Sequence, residues 1–490
     1  MTASKLTAIF LLGLFVAAQI VFSPVIDNSI ESFLRSSVGL ELPRELENIP
    51  FKSVLISWLM IVSILIFLRY IKAVTTWLLD RKEKVFITSL LLSTQFIALA
   101  PGNLVANIAL FAILFTWFIY IFMHKEYKII WSPLYILLLL FLLSILLSVF
   151  NGGSMSLIRL WHFIKSIVVF YIMVNLIRDR EIVIFSLRIY LLLATFSAII
   201  GILQEIIFFF SGIPLVGFVA EASRPHMWQM TFLGNLLRVP AFTGWYLNLD
   251  YFLLTSSVIG VNLLLYSVFE RKKERLFLYI AISLHFIAIY LTFSNSTMLV
   301  LLLAIIVSIF IRWRSLSIHF ITIFLAGILI AYFSGFITDF VEEPKRYLIT
   351  EDIAIRIDLL RDGLAGFINK HSFIGNGIGQ GYRYIGNVDR WSVHNMVVMI
   401  ADELGLLGLS TYGAFLFVLI YRHFISILKL KDKKDKAVLL SLLIALIAFI
   451  VDLQSQSLYF NFFIGMYLGF VEAIRGALSY QVPLKSTAKA

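Results

Sequence analysis

Apolar residues fill long stretches of this chain, and short polar breaks separate one stretch from the next. A run of roughly twenty apolar residues without an ionisable group is long enough to cross a bilayer as one helix. The pattern therefore predicts an all-α polytopic membrane protein with about 14 transmembrane helices. The approximate limits of the spans are 6–22, 53–68, 85–100, 104–123, 129–149, 156–177, 182–210, 249–269, 276–293, 298–313, 316–333, 394–421, 437–452 and 456–474.

Three connectors are much longer than the others, and alternation of the spans puts all three on one side of the membrane. They are residues 23–52, 211–248 and 334–393. The third is the longest, and a loop of that length in a compact protein usually has a function. It is predicted to contain short amphipathic helices, because apolar residues recur in it at helical spacing. These residues are Ile353, Ile357, Leu360, Leu364 and Phe367.

The order of spans and loops suggests two parts to the chain. Residues 1–237 hold the first seven helices, with the long external loops 23–52 and 211–248. Residues 238–490 hold the remaining helices and the loop 334–393. The second part contains most of the candidate chemistry.

Composition agrees with a membrane protein and excludes several other classes. Of the residues, 60% are apolar and 14% are charged, whereas a soluble domain has about 25% charged residues. A soluble enzyme, a nucleic-acid-binding protein and a disordered chain are therefore excluded. With no cysteine in the chain, disulfides, thiolate nucleophiles and cysteine-ligated zinc are excluded too. The eight histidines show no zinc-site spacing, so we predict neither a metal ion nor another cofactor.

The net charge of +11 reports the orientation of the chain. Basic residues concentrate in short connectors such as 69–84, 271–275 and 422–436, and the intervening connectors contain few of them. The positive-inside rule then puts both termini in the cytoplasm and the three long loops on the external side. The run 6–22 could be a signal-peptide core, but its length and its single preceding Lys5 favour a retained helix.

Ionisable residues at membrane depth are costly, so each is a functional candidate. Arg159 and Lys165 lie in the outer half of the sixth predicted span, while Glu205 and Asp250 lie near the outer ends of two other helices. His394 opens the twelfth span. Each residue alone could be a long side chain that reaches the interface at little cost. Their presence on one predicted side favours an external site.

The segment 356–408 combines several residue types that suit anion binding and proton transfer. Arg356 and Arg361 lie on the predicted surface helix, and arginine can form paired hydrogen bonds to phosphate oxygens. Alternate glycines follow at 375–381, where backbone N–H groups could approach an anion. His394, at the re-entry into the membrane, could accept a proton near neutral pH. A dinucleotide site is excluded, since no βαβ context precedes the glycines.

In this order the residues resemble the O-antigen ligase and O-antigen polymerase superfamily of bacterial envelope polysaccharide assembly. The family signature is a loop-helix arginine, a Gly-x-Gly-x-Gly segment, His-Asn, and Glu-x-Gly-x-x-Gly. In this chain the four motifs are matched, in the same order, by Arg356, Ile374 to Gly379, His394-Asn395, and Glu403 to Gly408. An upstream arginine before a turn is also usual in the family, and Arg238 to Gly244 resembles it. The resemblance covers mainly residues 238–420. This chain departs from the family at Ser294-Asn295-Ser296, where an arginine is frequent, and at Asn248 to Asp250, where Asn-Pro-Asn is frequent.

The resemblance implies a membrane glycosyltransferase that acts at the periplasmic face of a bacterial inner membrane. We predict that the reaction inverts the anomeric carbon, because a histidine base leads to attack from the opposite face. We also predict that the enzyme needs no divalent ion, because no Asp-x-Asp pair stands in a plausible metal position. Its donor would be an undecaprenyl-diphosphate-linked glycan, and its acceptor a glycan or the lipid A core. His394 would be the catalytic base, and the diphosphate would be bound by cationic side chains. These are Arg238, Arg356 and Arg361, with Lys165 or Arg159 supplying the cation absent at Asn295. Membrane lipids surround the protein, and chain-length regulators or other assembly proteins are possible partners.

Alternative interpretations remain for the residues and for the class. His394 could be only a helix-end residue, Arg356 could pair with Asp358 or Asp362, and Arg238 could be an interfacial cation. The number of spans favours a polymerase slightly over a ligase. A different class is a transporter or flippase of lipid-linked oligosaccharide, although the chain shows no internal repeat and its polar residues favour one side. A non-catalytic scaffold of an envelope complex is the third class.

Overall fold

The fold is described by a computed structural model of the chain. It describes residues 82–95, 130–151, 154–211, 228–231, 234–239, 241, 246–313, 351–369, 372–379, 382–385, 389–392, 395–454 and 462–479. The predicted spans before residue 82, the span 104–123 and the span 316–333 lie outside these residues. So do the external loop 23–52, most of the loop 211–248 and part of the loop 334–393.

Helices make up most of the described chain, as the apolar runs predict. They are α1 Lys82–Gln95, α2 Leu134–Val149, α3 Ser154–Leu176, α4 Arg180–Ser211, α5 Tyr246–Leu265, α6 Lys272–Leu291, α7 Asn295–Arg312, α8 Glu351–Asn369, α9 Met396–Lys429, α10 Lys433–Leu453 and α11 Phe462–Ser479. Six helices in the described part, α4, α5, α6, α7, α9 and α10, are long and apolar enough to cross a membrane. The protein is therefore membrane-embedded, and the total of about 14 spans stays a prediction.

Two short antiparallel hairpins accompany the helices and were not predicted. In the first, β1 Trp228–Thr231 pairs with β2 Gly234–Leu237, and Trp228 lies opposite Leu237. In the second, β3 Tyr382–Ile385 pairs with β4 Asp389–Ser392, and Tyr382 lies opposite Ser392. Each lies inside a predicted long loop. The all-α prediction is thus correct for the membrane helices but too simple for these loops.

The chain forms two compact units that do not follow chain order. The first contains residues 1–129, 181–253 and 284–293, and the second contains residues 130–180, 254–283 and 294–490. The predicted division at residue 237 was made from chain order, and it stays a prediction.

The second unit is held together by close helix packing. Helix α11 packs along α3, and two glycines four residues apart form the contact. A Cβ at Gly465 would lie 2.4 Å from the backbone oxygen of Ser166, and one at Gly469 would lie 2.8 Å from the Cα of Phe170. Small residues at this spacing let two helix backbones approach closely within a membrane. Helix α9 packs against α2, α8 and α10, and α7 packs against α10.

Helix α8 confirms the predicted helix in the loop 334–393. The buried side of its described portion differs from the predicted one, because Leu359 is fully buried while Leu364 is 41% exposed. Gly363 is also buried, one turn from Leu359. The apolar pattern therefore identified the helix but misplaced its packed face by about one residue, because a glycine has no apolar side chain to contribute to that pattern.

In the first unit, the segment that follows β2 is fixed by helices α4 and α6. The backbone N–H of Val239 donates to the carbonyl of Leu291 at 3.3 Å. A Cβ at Gly201 in α4 would lie 3.2 Å from the Val239 side chain and 3.6 Å from Leu249 in α5. The absence of a side chain at Gly201 gives this segment the space to lie against α4.

Candidate functional site

Helix α9 is broken inside its membrane portion, at Gly405. This residue has φ 67° and ψ −165°, a conformation outside the helical region that L side chains rarely adopt. Breaking a helix frees carbonyl groups before the break and N–H groups after it. At membrane depth no water is present to bond these groups, so other protein groups must do so.

The glycine segment 372–379 bonds the freed backbone groups on both sides of the break. The N–H groups of Asn376 and Gly377 donate to the carbonyls of Asp402 and Glu403, at 2.8 and 3.1 Å. The N–H groups of Leu406 and Leu407 donate to the carbonyls of residues 372 and 373, at 2.8 and 3.1 Å. Four backbone hydrogen bonds therefore join the segment to the broken helix.

Two glycines allow this close approach. A Cβ at Gly375 would lie 2.2 Å from the carbonyl oxygen of Glu403, and one at Gly405 would lie 2.5 Å from the N of Gly375. The Gly377 N–H bonds Glu403, so it is not directed at an anion as the sequence interpretation supposed. Here the glycines allow the backbone of the segment 372–379 to pack directly against the broken part of α9.

The other edge of the same segment is held by the end of α2, by Asn151 just after it, and by the backbone of α8. Asn151 Nδ2 donates to the carbonyl of Gly375 at 2.9 Å, and the N–H of Ile378 donates to Ser148 Oγ at 3.2 Å. Asn376 Nδ2 donates both to the Gly366 carbonyl in α8, at 3.1 Å, and to Asp402 Oδ1, at 2.6 Å. The segment is thus anchored to α2, α8 and α9 together.

The start of α9 is attached to the end of α10. Asn395 caps α9 by accepting the N–H of Val398 at 3.0 Å, and its own Nδ2 donates to the Gln454 carbonyl at 3.3 Å. Two residues before Gln454, the buried carboxylate of Asp452 accepts from Thr297 Oγ1, at 3.2 and 3.1 Å. Polar residues at the starts of α7 and α9 and at the end of α10 are therefore neighbours in the second unit.

His394, the predicted base, lies outside the residues that the structure describes. The residue directly after it, Asn395, is fixed by the cap and by Gln454. Among the residues that the structure describes, no three His, Asp or Glu side chains are grouped where they could hold a metal ion. The metal-free chemistry stays a prediction.

The cationic residues predicted in the second unit have different surroundings. Arg361 is exposed on α8, and Arg356 lies earlier on the same helix. Lys165 lies on α3 and is only 7% exposed, beside Ser166 at the crossing with α11. Its burial argues against a side chain that simply extends to the interface. The side chains of Arg356 and Arg159 are outside the described part of the structure.

In the first unit, Arg238 precedes Ala241, whose backbone is hydrogen-bonded by a side chain of α4. Gln204 Nε2 donates to the Ala241 carbonyl at 3.2 Å, and the N–H of Ala241 donates to Gln204 Oε1 at 2.9 Å. Arg238 itself is half-buried. The neighbouring residue in α4, Glu205, is buried, as is Asp250, which accepts from Thr292 Oγ1 at 2.5 Å.

The predicted site residues therefore divide between the units. Lys165, Arg361, the glycine segment and the start of α9 belong to the second unit, and Arg238 belongs to the first. The convergence of Arg238, Arg356 and His394 on one pocket stays a prediction.

Sequence reasoning missed three polar anchors of the site, which are Asn151, Asn376 and Thr297. One signal could have found Asn376: the adjacent acidic residues Asp402 and Glu403 need partners at membrane depth. Asn151 lies in the turn after α2 and Thr297 in the first turn of α7, and no sequence pattern marks either residue.

Comparison with known proteins identifies no family for this chain. No protein-family model matches it, and no curated protein matches it with significance. Its function must therefore be argued from its residues and their geometry.

Proposed function

We propose that the protein is a membrane glycosyltransferase that uses an undecaprenyl-diphosphate-linked glycan as its donor at the external face. The proposal combines the motif order Arg356, Gly375 to Gly379, His394 and Glu403 to Gly408 with the way the described parts of this segment are anchored. The proposed site includes the start of α9, the end of α10 and the segment 372–379, which is hydrogen-bonded to α9. The proposed products are surface polysaccharides such as O-antigen.

The proposed reaction is a single inverting displacement. His394 takes the proton from an acceptor sugar hydroxyl, and that oxygen forms a bond to the anomeric carbon of the donor. The bond between that carbon and the phosphate oxygen breaks on the opposite face, and the lipid diphosphate leaves with the electron pair. Arg238, Arg356 and Arg361 stabilise the charge that develops on the diphosphate, and Lys165 or Arg159 adds a further cation.

The observation that carries the proposal is the anchoring of Asn395. Catalysis by a base requires that its backbone be held within tenths of an ångström. Asn395 is bonded to the first turn of α9 and to the end of α10, at 3.0 and 3.3 Å. The residue preceding it in the chain is the proposed base, so a fixed backbone adjoins it where the chain enters the membrane.

A polymerase and a ligase differ in their acceptor. A polymerase joins the growing chain to a second lipid-linked repeat, whereas a ligase transfers the finished chain to the lipid A core. The number of predicted spans favours the polymerase slightly. Chain-length regulators or assembly proteins are further proposed partners.

The break in α9 is the one observation that favours a transporter or flippase, since transporters bind substrates at discontinuous helices. In those proteins the freed backbone groups face the substrate. Here the carbonyls of Asp402 and Glu403 and the N–H groups of Leu406 and Leu407 are bonded to residues 372–377. The break is therefore better explained as a rigid structural feature than as a binding site for a transported substrate.

The proposal is tested by glycan transfer with purified protein in liposomes that contain the lipid-linked donor. We expect His394→Ala to lower the transfer rate at least about 100-fold, the scale of general-base catalysis. His371→Ala, a change of the same kind in the same predicted external loop, is the matched control and should keep most activity. Wild-type transfer by folded His394→Ala protein would remove the proposed base, and absence of any donor-dependent transfer would remove the enzyme class.

The same assay separates the two members of the class. With lipid-linked repeats alone, a polymerase produces longer glycans, while a ligase produces none until the lipid A core is added. Movement of intact donor between leaflets without new glycosidic bonds would instead support the flippase.

A further inference from the structure

The hairpin β3–β4 connects two fixed points of the proposed site. Strand β3 begins four residues after Ile378, whose N–H donates to Ser148 Oγ at 3.2 Å. Strand β4 ends three residues before Asn395, which caps α9 and donates to the Gln454 carbonyl. A chain spans at most about 3.6 Å per residue, so the two strands start and end within about 14 Å of Ile378 and about 11 Å of Asn395. The hairpin is therefore tethered close to the start of α9, in the second unit.

The register of the hairpin assigns its residues to two faces. Directly opposite residues of an antiparallel pair share a face, and successive residues of a strand alternate between faces. The pairs Tyr382–Ser392 and Tyr384–Arg390 therefore form one face, which we call the tyrosine face. The other face, which we call the tryptophan face, consists of Arg383, Ile385, Asp389 and Trp391.

The composition of the tyrosine face suits a sugar chain. The C–H side of a sugar ring can stack on the face of an aromatic ring, while its hydroxyl groups bond to polar side chains nearby. Tyr382 and Tyr384 supply two aromatic rings at positions about 7 Å apart along the strand. On the opposite strand, Arg390 and Ser392 supply hydrogen-bond donors. One face of the hairpin thus combines the groups that could contact two successive sugars.

A lipid surface is the competing partner, because tyrosine and tryptophan also concentrate at membrane interfaces. A segment that lies in the interface has one apolar face and carries its charges on the other. In this hairpin each face has an arginine, which is Arg390 on the tyrosine face and Arg383 on the tryptophan face. Neither face of the two strands is therefore apolar throughout, and this favours a sugar chain over lipid.

We propose that the tyrosine face of the hairpin β3–β4 binds sugar units of the lipid-linked glycan. The inference rests on the proposed function for the class of substrate, and it adds the part of the protein that recognises the sugar chain. Cationic side chains bind the diphosphate, whereas the hairpin selects the glycan. Because the tyrosine face takes no part in proton transfer, its contribution is to the binding of substrate and appears mainly in KM.

The test is binding of an oligosaccharide to the purified full-length protein, measured by saturation-transfer NMR. The probe is the oligosaccharide released by mild acid from the polyprenyl-diphosphate-linked glycans of the cells that make the protein. We expect Tyr384→Val to raise its Kd about fivefold, the scale of one aromatic contact. Valine keeps the strand propensity of tyrosine but not its ring. Tyr384→Phe keeps the ring and should bind nearly as well as wild type.

Trp391→Val is the matched control, because it removes an aromatic ring from the same hairpin but from the other face. It should leave the Kd unchanged, and a loss equal to that of Tyr384→Val would overturn the assignment to the tyrosine face. In the transfer assay, Tyr384→Val should raise KM for the lipid-linked glycan with little change in kcat.

The two readouts separate this inference from the proposed function. Transfer by wild type with Kd and KM unchanged in Tyr384→Val would overturn the glycan site alone. Oligosaccharide binding that depends on the ring of Tyr384, without any transfer by wild type, would support the glycan site and remove the enzyme.

Contact with lipid is measured by a spin label on Asn387→Cys, which lies between the two strands in the chain. Oxygen concentrates in lipid and a nickel chelate stays in water, so their effects on the label report its surroundings. We expect the label to be more accessible to the chelate. Greater accessibility to oxygen would indicate a hairpin in the lipid interface and would overturn the glycan site.

Discussion

Gly405 shows how one residue determines the shape of a membrane helix. Its positive φ breaks α9, and its missing side chain leaves space for the N of Gly375 and the carbonyl of Phe373. The four hydrogen bonds across the break then replace those that a continuous helix would make. A side chain at this position conflicts with both the conformation and the contact.

We predict that Gly405→Ala lowers the free energy of unfolding by at least about 2 kcal/mol, through a left-handed alanine and a 2.5 Å clash with backbone. Gly413 provides the control, since it lies in the same helix and a Cβ there meets nothing within 4 Å. Gly413→Ala should be neutral or slightly stabilising. Thermal unfolding in detergent measures both, and equal unfolding temperatures for the two variants would contradict the locked break.

Helix packing in the second unit depends on side-chain size at the α3–α11 crossing. Gly465 and Gly469 bring the backbones of the two helices together at Ser166 and Phe170. Lipid chains are as apolar as leucine, so close packing rather than water exclusion drives such contacts. The pair lies just before Glu472 and Arg475 on the same helix, which form a buried ion pair at 2.7 Å.

We predict that Gly465→Leu separates α3 from α11 and lowers the unfolding temperature by several degrees, since a Cβ at this position would lie 2.4 Å from the backbone oxygen of Ser166. Gly476→Leu in the same helix is the comparison, because a Cβ there has no atom within 4 Å. Fluorescence-detected size exclusion after a heating series reports the fraction that stays folded. A Gly476 variant as unstable as the Gly465 variant would show that helix propensity, not the crossing, dominates.

The start of α10 titrates in acid. Asp432 caps the helix by accepting the N–H groups of Lys434 and Asp435, both at 2.9 Å. These backbone hydrogen bonds, with Arg180 and Lys434 nearby, hold the pKa of Asp432 below its ordinary value of 3.8. A lowered pKa means that the carboxylate stabilises the fold above the unfolded-state pKa, and this contribution is lost as the pH falls through the folded-state value.

We predict that wild type loses stability relative to Asp432→Asn as the pH falls below about 4, because asparagine keeps the cap without titrating. The difference is less than about 1 kcal/mol, since the carboxylate is half exposed and water screens it. Unfolding curves from pH 6 to about pH 3 measure it. The pKa of Glu270 is also lowered, by its hydrogen bond to Lys434. Because Glu270 titrates in both proteins, its contribution cancels in the difference between their free energies of unfolding. Parallel curves for the two proteins would refute the role of the cap.

At the scale of the whole molecule, the chain has no cysteine, which suits labelling of single introduced thiols. The positive-inside rule predicts that the connector after α9 lies in the cytoplasm and that the glycine segment lies outside. Ser372 and Lys431 are both exposed, so each can carry a reporter.

We predict that a membrane-impermeant maleimide labels Ser372→Cys in intact cells. Lys431→Cys should react only after the cells are opened, because the positive-inside rule predicts that this connector faces the cytoplasm. Each variant is its own control through labelling after solubilisation. The reverse pattern would put the glycine segment, and with it the proposed external site, in the cytoplasm.

The apolar runs predicted the described membrane helices closely: the runs 298–313 and 437–452 correspond to Asn295–Arg312 and Lys433–Leu453. The amphipathic pattern also predicted α8. The two hairpins were missed because strands of four residues are too short to show an alternating pattern. Of the candidate site, the sequence predicted the polar helix ends, but it assigned the glycines to anion binding where Gly377 bonds Glu403.

Hydrophobicity alone determined that this chain enters a membrane, since the cost of burying polar groups in lipid is a local property of each run. Tertiary structure decided that Gly405 breaks α9, that residues 372–379 fill the break, and that two arginines share Glu472. These features depend on groups from distant parts of the chain, such as Ser132 and Glu472, satisfying one another's hydrogen bonds. No local pattern encodes that pairing, because each partner is chosen by the packing of whole helices.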